Sequence, residues 1–272
     1  MPITNVADLR FKIANYTEQT RLNVYSMTIG TVKSFFSGNF DQIGTGHTFP
    51  TTLTQEAQTT SIYSKIKAPV SAGSSLLVTN IQSICGSTGG VTGGVSQIMF
   101  DYLVGAGGIN IATATEQVFT VAALPRHTDG VGVYAMIVST SALGGTSCVG
   151  SMRYLANDNV EYNSPSVIIT LAGNSGSNAV MILPLANGTK GIKEVRGFTS
   201  GGGSVTGTLA LLLFKPVATI PQVGSVFSYD DVAALHMPFF KFPKDGNIMN
   251  FQNGTAALNI VTNIKVSSVS DT

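Results

Sequence analysis

The chain has 272 residues, 11% of them charged, a formal net charge of +1 and a mean hydropathy of +0.28. Near-neutral charge removes any electrostatic case for wrapping nucleic acid, and no apolar stretch approaches the roughly 20 residues of a membrane helix. A folded chain of this mass exposes roughly 11,000 Å², so its charges are spread at about one per 390 Å²; a surface that sparse fits a subunit covered by copies of itself.

Absence of Trp removes the aromatic girdle of a transmembrane β-barrel. Cys85 and Cys148 are far apart and lack metal or redox spacing, so they read as small buried apolar residues. The opening MPITNVADLR lacks the basic and apolar regions of a secretory signal.

In chain order, Asn5 and Asp8 resemble an N-cap with an acidic first turn, and Val6, Leu9, Ile13 and Tyr16 share one helical face. Tyr25, Met27 and Ile29 alternate as in a strand, and the glycines between 30 and 50 suggest an irregular arm. From residue 58 the pattern is of short strands: TTSIYSKIKAPV, SLLVTNIQSIC, VSQIMFDYLVG, EQVFTVAAL, GVYAMIVST, SCVGSMRYL, PSVIITLAG, AVMILPLA, IKEVRGFTS and GTLALLLF. Gly, Asn, Ser and Pro clusters separate them, which predicts an antiparallel sandwich. The run Leu209–Phe214 is apolar at every position. Such a strand needs cover on both faces, from the N-terminal helix or from a neighbouring subunit. Downstream, Asp230 and Asp231 suggest the start of a short helix in YDDVAALH. Pro125, Pro184 and Pro243 each precede an Asp-Gly or Asn-Gly turn at a constant separation of 59 residues.

Chemistry-bearing patterns are few. His47, His127 and His236 sit in loop-like sequence without ligand spacing. His127 adjoins Arg126 and Asp129, a polar cluster or a hydrogen-bonded turn. GAGG at 105–108 lacks the remainder of a dinucleotide fingerprint and reads as a loop. Asp158 and Glu161 could form a glycosidase carboxylate pair, with nothing else around them to support it. Asn15, Asn187 and Asn253 begin glycosylation sequons, which are empty without secretion. No catalytic residue, cofactor or metal is expected.

Four stretches occur in order: LPRHTDGVGVYAMIVS (124–139), LPLANGTKGIKEVRGFT (183–199), GTLALLLFKPVATIP (207–221) and LHMPFFKFPKDGNIMNF (235–251). Over residues 100–251 the chain resembles a group of tailed-bacteriophage virion structural proteins. The resemblance implies a non-enzymatic structural subunit located in the virion.

The sequence reading is therefore an all-β, jelly-roll-like antiparallel β-sandwich with a short N-terminal helix and a C-terminal extension. Its divisions are an N-terminal helix and arm (1–57), the sandwich (58–221) and an extension packed on it (222–272). The expected function is capsid decoration (cement) or a vertex role, and the alternative is a tail- or fibre-associated receptor-binding module. Expected partners are other copies of the chain and the major capsid protein, with neither nucleic acid nor membrane. Phe35, Phe36 and Phe40, clustered beside glycines, and Leu212 in the apolar run are the expected oligomer or shell contacts.

Overall fold

The computed structural model describes residues 49–58, 100–145, 147–169, 181–201 and 205–216 in full, with Asp8, Val269 and the backbone of the remaining strands. In chain order the strands are β1 (Thr17–Tyr25), β2 (Lys33–Gly38), β3 (Gln55–Ala57), β4 (Ser74–Ser87), β5 (Gly93–Asn110) and β6 (Gln117–Val118). There follow β7 (Tyr134–Ser139), β8 (Ser147–Ala156), β9 (Glu161–Asn163), β10 (Val167–Thr170), β11 (Val180–Ile182) and β12 (Ile192–Gly201). The last are β13 (Thr208–Gly224), β14 (Phe227–Ala233), β15 (Phe240–Phe242), β16 (Ile248–Gly254) and β17 (Leu258–Ser270). The fold is all-β, and every ladder between these strands is antiparallel.

Two sheets make up the centre. One runs β11-β7-β13-β5-β16-β2, with β3 also on β5; the other runs β10-β8-β12-β6, with β9 on β8. The winding is regular. β5 pairs with β13, β6 with β12, β7 with β11 and β8 with β10, so the first strand meets the last and each later strand meets the next one in. Successive pairs fall on alternate sheets, as in a long hairpin rolled on itself. A third sheet, β1-β17-β4-β14 with β15 on β4, draws its strands from both ends of the chain.

Alternation explains why the two central sheets face each other. On β8 the even residues Cys148, Met152, Tyr154 and Ala156 are buried while Ser147 and Val149 are exposed. These inward residues join Ile169, Ile192, Val195 and Phe198 from their own sheet. Across the gap stand Leu103, Ile109, Ala135, Ile137, Leu209, Leu211 and Leu213, and all belong to one core. Period-two patterning thus fixes which face of each strand is apolar and hence how the layers stack.

β13 breaks the alternation, and the structure shows why. Leu209, Leu211 and Leu213 enter the core between the sheets. Leu212 and Phe214 turn to the opposite face, where they form a second cluster with Phe100, Tyr102, Met136 and Val138. Phe49 packs against that cluster, and Phe100 meets Phe214 edge-on with ring centroids 5.2 Å apart. Leu212 is 0% exposed in the isolated chain. Both faces of β13 are covered, as the apolar run requires, and the cover belongs to the chain itself. Leu212 is therefore an interior residue here, where the sequence reading placed it at a subunit contact. Pro216 and Pro221 lie where β13 has passed the end of β7 and pairs with β5 alone among the described strands, so their missing N–H groups break no β7 ladder.

Other expectations change as well. YDDVAALH is not a helix at its start: Phe227–Ala233 is β14, laddered on β4 with Asp230 opposite Ser83 and Asp231 opposite Gln82. The aromatic and β-branched residues Phe227, Tyr229 and Val232 suit a ladder, and pairing with β4 overrides the acidic N-terminal cue. GAGG at 105–108 is not a loop but part of β5. Its glycines admit the chain segment at residues 50–52: a Cβ on Gly107 would overlap the Pro50 carbonyl, and one on Gly108 (φ +69°) would meet Thr51 and Thr52 backbone at 2.7–2.8 Å. The arm before residue 57 is not wholly irregular, since it supplies β1, β2 and β3. The helix expected over residues 5–16 lies outside the described residues except for Asp8, which is helical. The strand expected in TTSIYSKIKAPV and the Pro243 turn lie outside them too. Of the turns at constant spacing, Asp129-Gly130 precedes β7 and Asn187-Gly188 precedes β12, strands of different sheets.

Residues 53–57 close one margin of the layers. Thr120 N–H donates to Leu53 O at 3.1 Å and Gln55 N–H to Thr120 O at 3.0 Å, while Phe119 N–H donates to Arg196 O at 3.0 Å. The buried Gln55 amide donates to Val195 O and accepts from Ala122 N–H. One amide side chain thus joins β3 on the first sheet to β12 on the second, and its buried polar groups are satisfied.

Replacing Leu212 with Ala should cost about 2–5 kcal/mol by removing buried volume on the second face. The exposed Val149, replaced by Ala, should stay within about 0.5 kcal/mol of the parent. Urea unfolding followed by fluorescence compares the two; equal, small effects would show that the second face is not sealed.

Candidate functional site

A buried polar arrangement lies on β5 and β13 next to the cluster of Phe100, Tyr102 and Phe214. Asp101 of β5 and Lys215 of β13 are cross-strand partners. Asp101 is fully buried. A carboxylate taken out of water needs a paired cation and hydrogen bonds to saturate it. The loop from Pro125 supplies them. Arg126 Nε donates to Asp101 Oδ2 at 3.0 Å and Nη2 to Oδ1 at 2.7 Å, a two-pronged pairing. Nη2 also donates to Tyr102 O at 3.0 Å and Nη1 to Gln58 O at 2.8 Å. One guanidinium therefore fixes the loop, β5 and the end of the segment that carries β3.

The loop's own backbone aims Arg126 inward. His127 adopts φ +54° and Gly130 φ +73°, and Gly130 N–H donates to His127 O at 2.8 Å. Asp129 Oδ1 accepts from Val131 N–H at 3.2 Å, a side-chain turn that suits an Asp-Gly step. His127 stands beside the ion pair: Nε2 lies 3.5 Å from Asp101 Oδ2, and Nδ1 lies 3.4 Å from Lys215 Nζ. The sequence reading grouped Arg126, His127 and Asp129; the fold brings the first two to Asp101 and Lys215 and turns Asp129 to its own backbone. Asp101 was legible in retrospect as the single charge inside the apolar run IMFDYLVG.

A second charged group covers the outer face of the other sheet. Arg153 donates to Glu116 at 2.6 Å and to Glu161 at 2.9 Å; Arg196 lies 3.4 Å from Glu161 and 3.0 Å from Glu194. The two carboxylates push Arg153 still further toward its charged form. Asp158 caps its turn by accepting from Val160 N–H at 3.0 Å and from Tyr162 OH at 3.0 Å, and that bond pushes the phenol's pKa up. Asp158 and Glu161, the conceivable glycosidase pair, are thus engaged in a turn and an ion-pair ladder. Beyond the ladder, Ile168 and Val149 pair across β10 and β8 and are 67% and 47% exposed.

The remaining expected residues are dispersed. Phe35 and Phe36 lie in β2 opposite Gln252 and Phe251 of β16, on the far side of β5 from Leu212. Phe40, His47 and His236 lie outside the described residues. Cys148 is buried, and burial pushes its thiol pKa up. No group of three or more His, Cys, Asp or Glu suited to a metal occurs among the described residues.

No family model and no curated protein matches the sequence. Among solved structures, the chain is similar to the VP2 subviral particle of infectious bursal disease virus at a TM-score of 0.23 and 10% identity, covering 97% of this chain and 86% of that one. A structure of the Gt strain of the same virus gives 0.21 and 8%, covering 93% and 81%. Likeness at this level carries no argument about this chain.

Arg126→Met leaves the Asp101 carboxylate buried without its two-pronged partner and should cost about 3–5 kcal/mol. Asp101→Leu combined with Arg126→Met should recover most of that loss. Urea denaturation of the three chains at neutral pH tests this; a double variant as unstable as the single one would mean that the cluster is held by more than charge pairing.

Proposed function

We propose that the chain is a non-enzymatic structural subunit of a virus particle, built on a jelly-roll sandwich. The observation that carries the reading is the rolled pairing β5·β13, β6·β12, β7·β11 and β8·β10 across two facing sheets. That winding is the eight-stranded jelly roll, which viral shells share with lectin domains and cupins. Fold alone does not assign function. Sparse charge favours the shell reading over the others, because a subunit packed among its copies needs little charge to stay soluble. On the resemblance in residues 100–251, the particle is a tailed bacteriophage and the role is decoration of the capsid or its vertices. The partners are other copies of the chain and the major capsid protein. Phe35, Phe36 and Phe40 are the contact residues we propose, because aromatic burial is worth roughly 1.5–3 kcal/mol per side chain.

Deletion of residues 1–40 removes the edge strands β1 and β2; it should leave the rolled strands β5–β13 folded and abolish attachment to particles that lack the protein. Circular dichroism and co-sedimentation measured together test both halves. Retained β signal with lost binding supports the anchor; collapse of the β signal, or undiminished binding, overturns it. Counting copies per purified particle by quantitative mass spectrometry separates shell from tail, since a handful of copies would move the subunit to the tail.

A further inference from the structure

The protonation state of His127 bears on how its ring can face two charged neighbours. Its ring lies between a carboxylate and an ammonium group, with Nε2 3.5 Å from Asp101 Oδ2 and Nδ1 3.4 Å from Lys215 Nζ. A lysine ammonium has three donors and no acceptor, so the ring nitrogen facing it must offer a lone pair. The proton of the neutral ring then resides on Nε2, toward Asp101. A second proton would have to go on Nδ1, where it would face Lys215 donor to donor.

The surroundings decide which partner gives way. Asp101 is fully buried and tied by two bonds to Arg126, which in turn holds Tyr102 O and Gln58 O. Lys215 is half-buried on a long flexible stem, the kind that can carry its ammonium to solvent. Charged groups beside His127 include Asp101 from β5 and Lys215 from β13, with Arg126 of its own loop on the far side of the Asp101 carboxylate. Asp129, on the same loop, is turned to Val131 N–H. We propose that His127 is a proton-operated catch beside the β5·β13 ladder: neutral, it holds Lys215 in place; protonated, it keeps Asp101 and releases Lys215 to solvent. Acid then adds one charge there and frees a cation beside it. The inference stands on this geometry and is independent of the particle reading.

The chain has three histidines, so ¹⁵N-histidine labelling of the full-length protein gives three ring systems, with His127→Gln assigning the one of interest. At about pH 8, above the ordinary imidazole range, the His127 ring should show a pyridine-type Nδ1 and a protonated Nε2. Lys215→Met should remove that preference and give mixed tautomers at the same pH. Structures determined at about pH 8 and about pH 5, on either side of that range, should show the Lys215 Nζ to His127 Nδ1 contact in the first and its loss in the second. A protonated Nδ1 at the higher pH, a Lys215→Met spectrum identical to the parent, or a contact that persists in acid overturns the proposal. The paired structures need no variant, so the test holds even if Lys215→Met folds poorly.

Discussion

The structure depends on the pairing of β5 with β13. These are long strands, and they remain paired from Asn110 and Thr208 at one end to Gly93 and Gly224 at the other, with the register shifting at bulges near Leu209, Leu213 and Pro216. In the upper half the pair is a sheet centre sealed on both faces, with Leu211 and Leu213 on one side and Leu212 and Phe214 on the other. A strand in that position has no wet face on which to place polar residues, which is why its sequence is apolar without interruption. In the lower half the two strands stay paired, and β5 also carries β16, which in turn carries β2. The bulges are spread along both halves, where extra residues let a long pair bend and increase its twist.

At the transition between the halves the interior would end in open backbone and one buried charge. Arg126 closes it. Its four hydrogen bonds reach Asp101, Tyr102 O and Gln58 O together, a task the planar guanidinium suits and a lysine would not. The Gln55 amide does the corresponding work on the open margin, where it joins the two sheets directly. Two side chains with several hydrogen bonds each thus connect segments far apart in sequence. Buried polar groups of this kind are costly to strand and so strongly favour one arrangement.

Much of this was readable from the sequence. Strand content, the antiparallel layers and the double burial of Leu209–Phe214 follow from period-two patterning and from its one conspicuous failure. Turn residues at Asp129-Gly130 and Asn187-Gly188 were placed correctly because positive φ is cheap there. What was not readable is long-range. GAGG looks like a loop until the segment at 50–52 is laid against it, and its glycines then mark a close approach within a strand. The acidic pair at 230 and 231 suggested a helix start because local cues say nothing of β4 waiting beside it. Asp101 and Arg126, distant in sequence, meet only through the fold. Leu212 was taken for an outward contact because the sequence cannot tell cover by the same chain from cover by a neighbour.

The rolled pairing also governs how the chain can be made. β5 emerges from the ribosome long before β13, and residue 93 waits for residue 224 to complete its ladder. Closure can begin only at the inner turn, where β8 and β10 are near in sequence, and must work outward through β7·β11 and β6·β12 to the longest loop. Such non-local pairing is slow, because each outer closure must await the entropy loss of a larger loop. Throughout that interval the apolar stretch of β5, from Phe100 to Ile109, lacks its β13 partner and has at most the short β3 beside it. A ladder buried on both faces is therefore the last to be protected during synthesis, and the nascent chain is exposed to aggregation at a strand that ends up in the middle of its core.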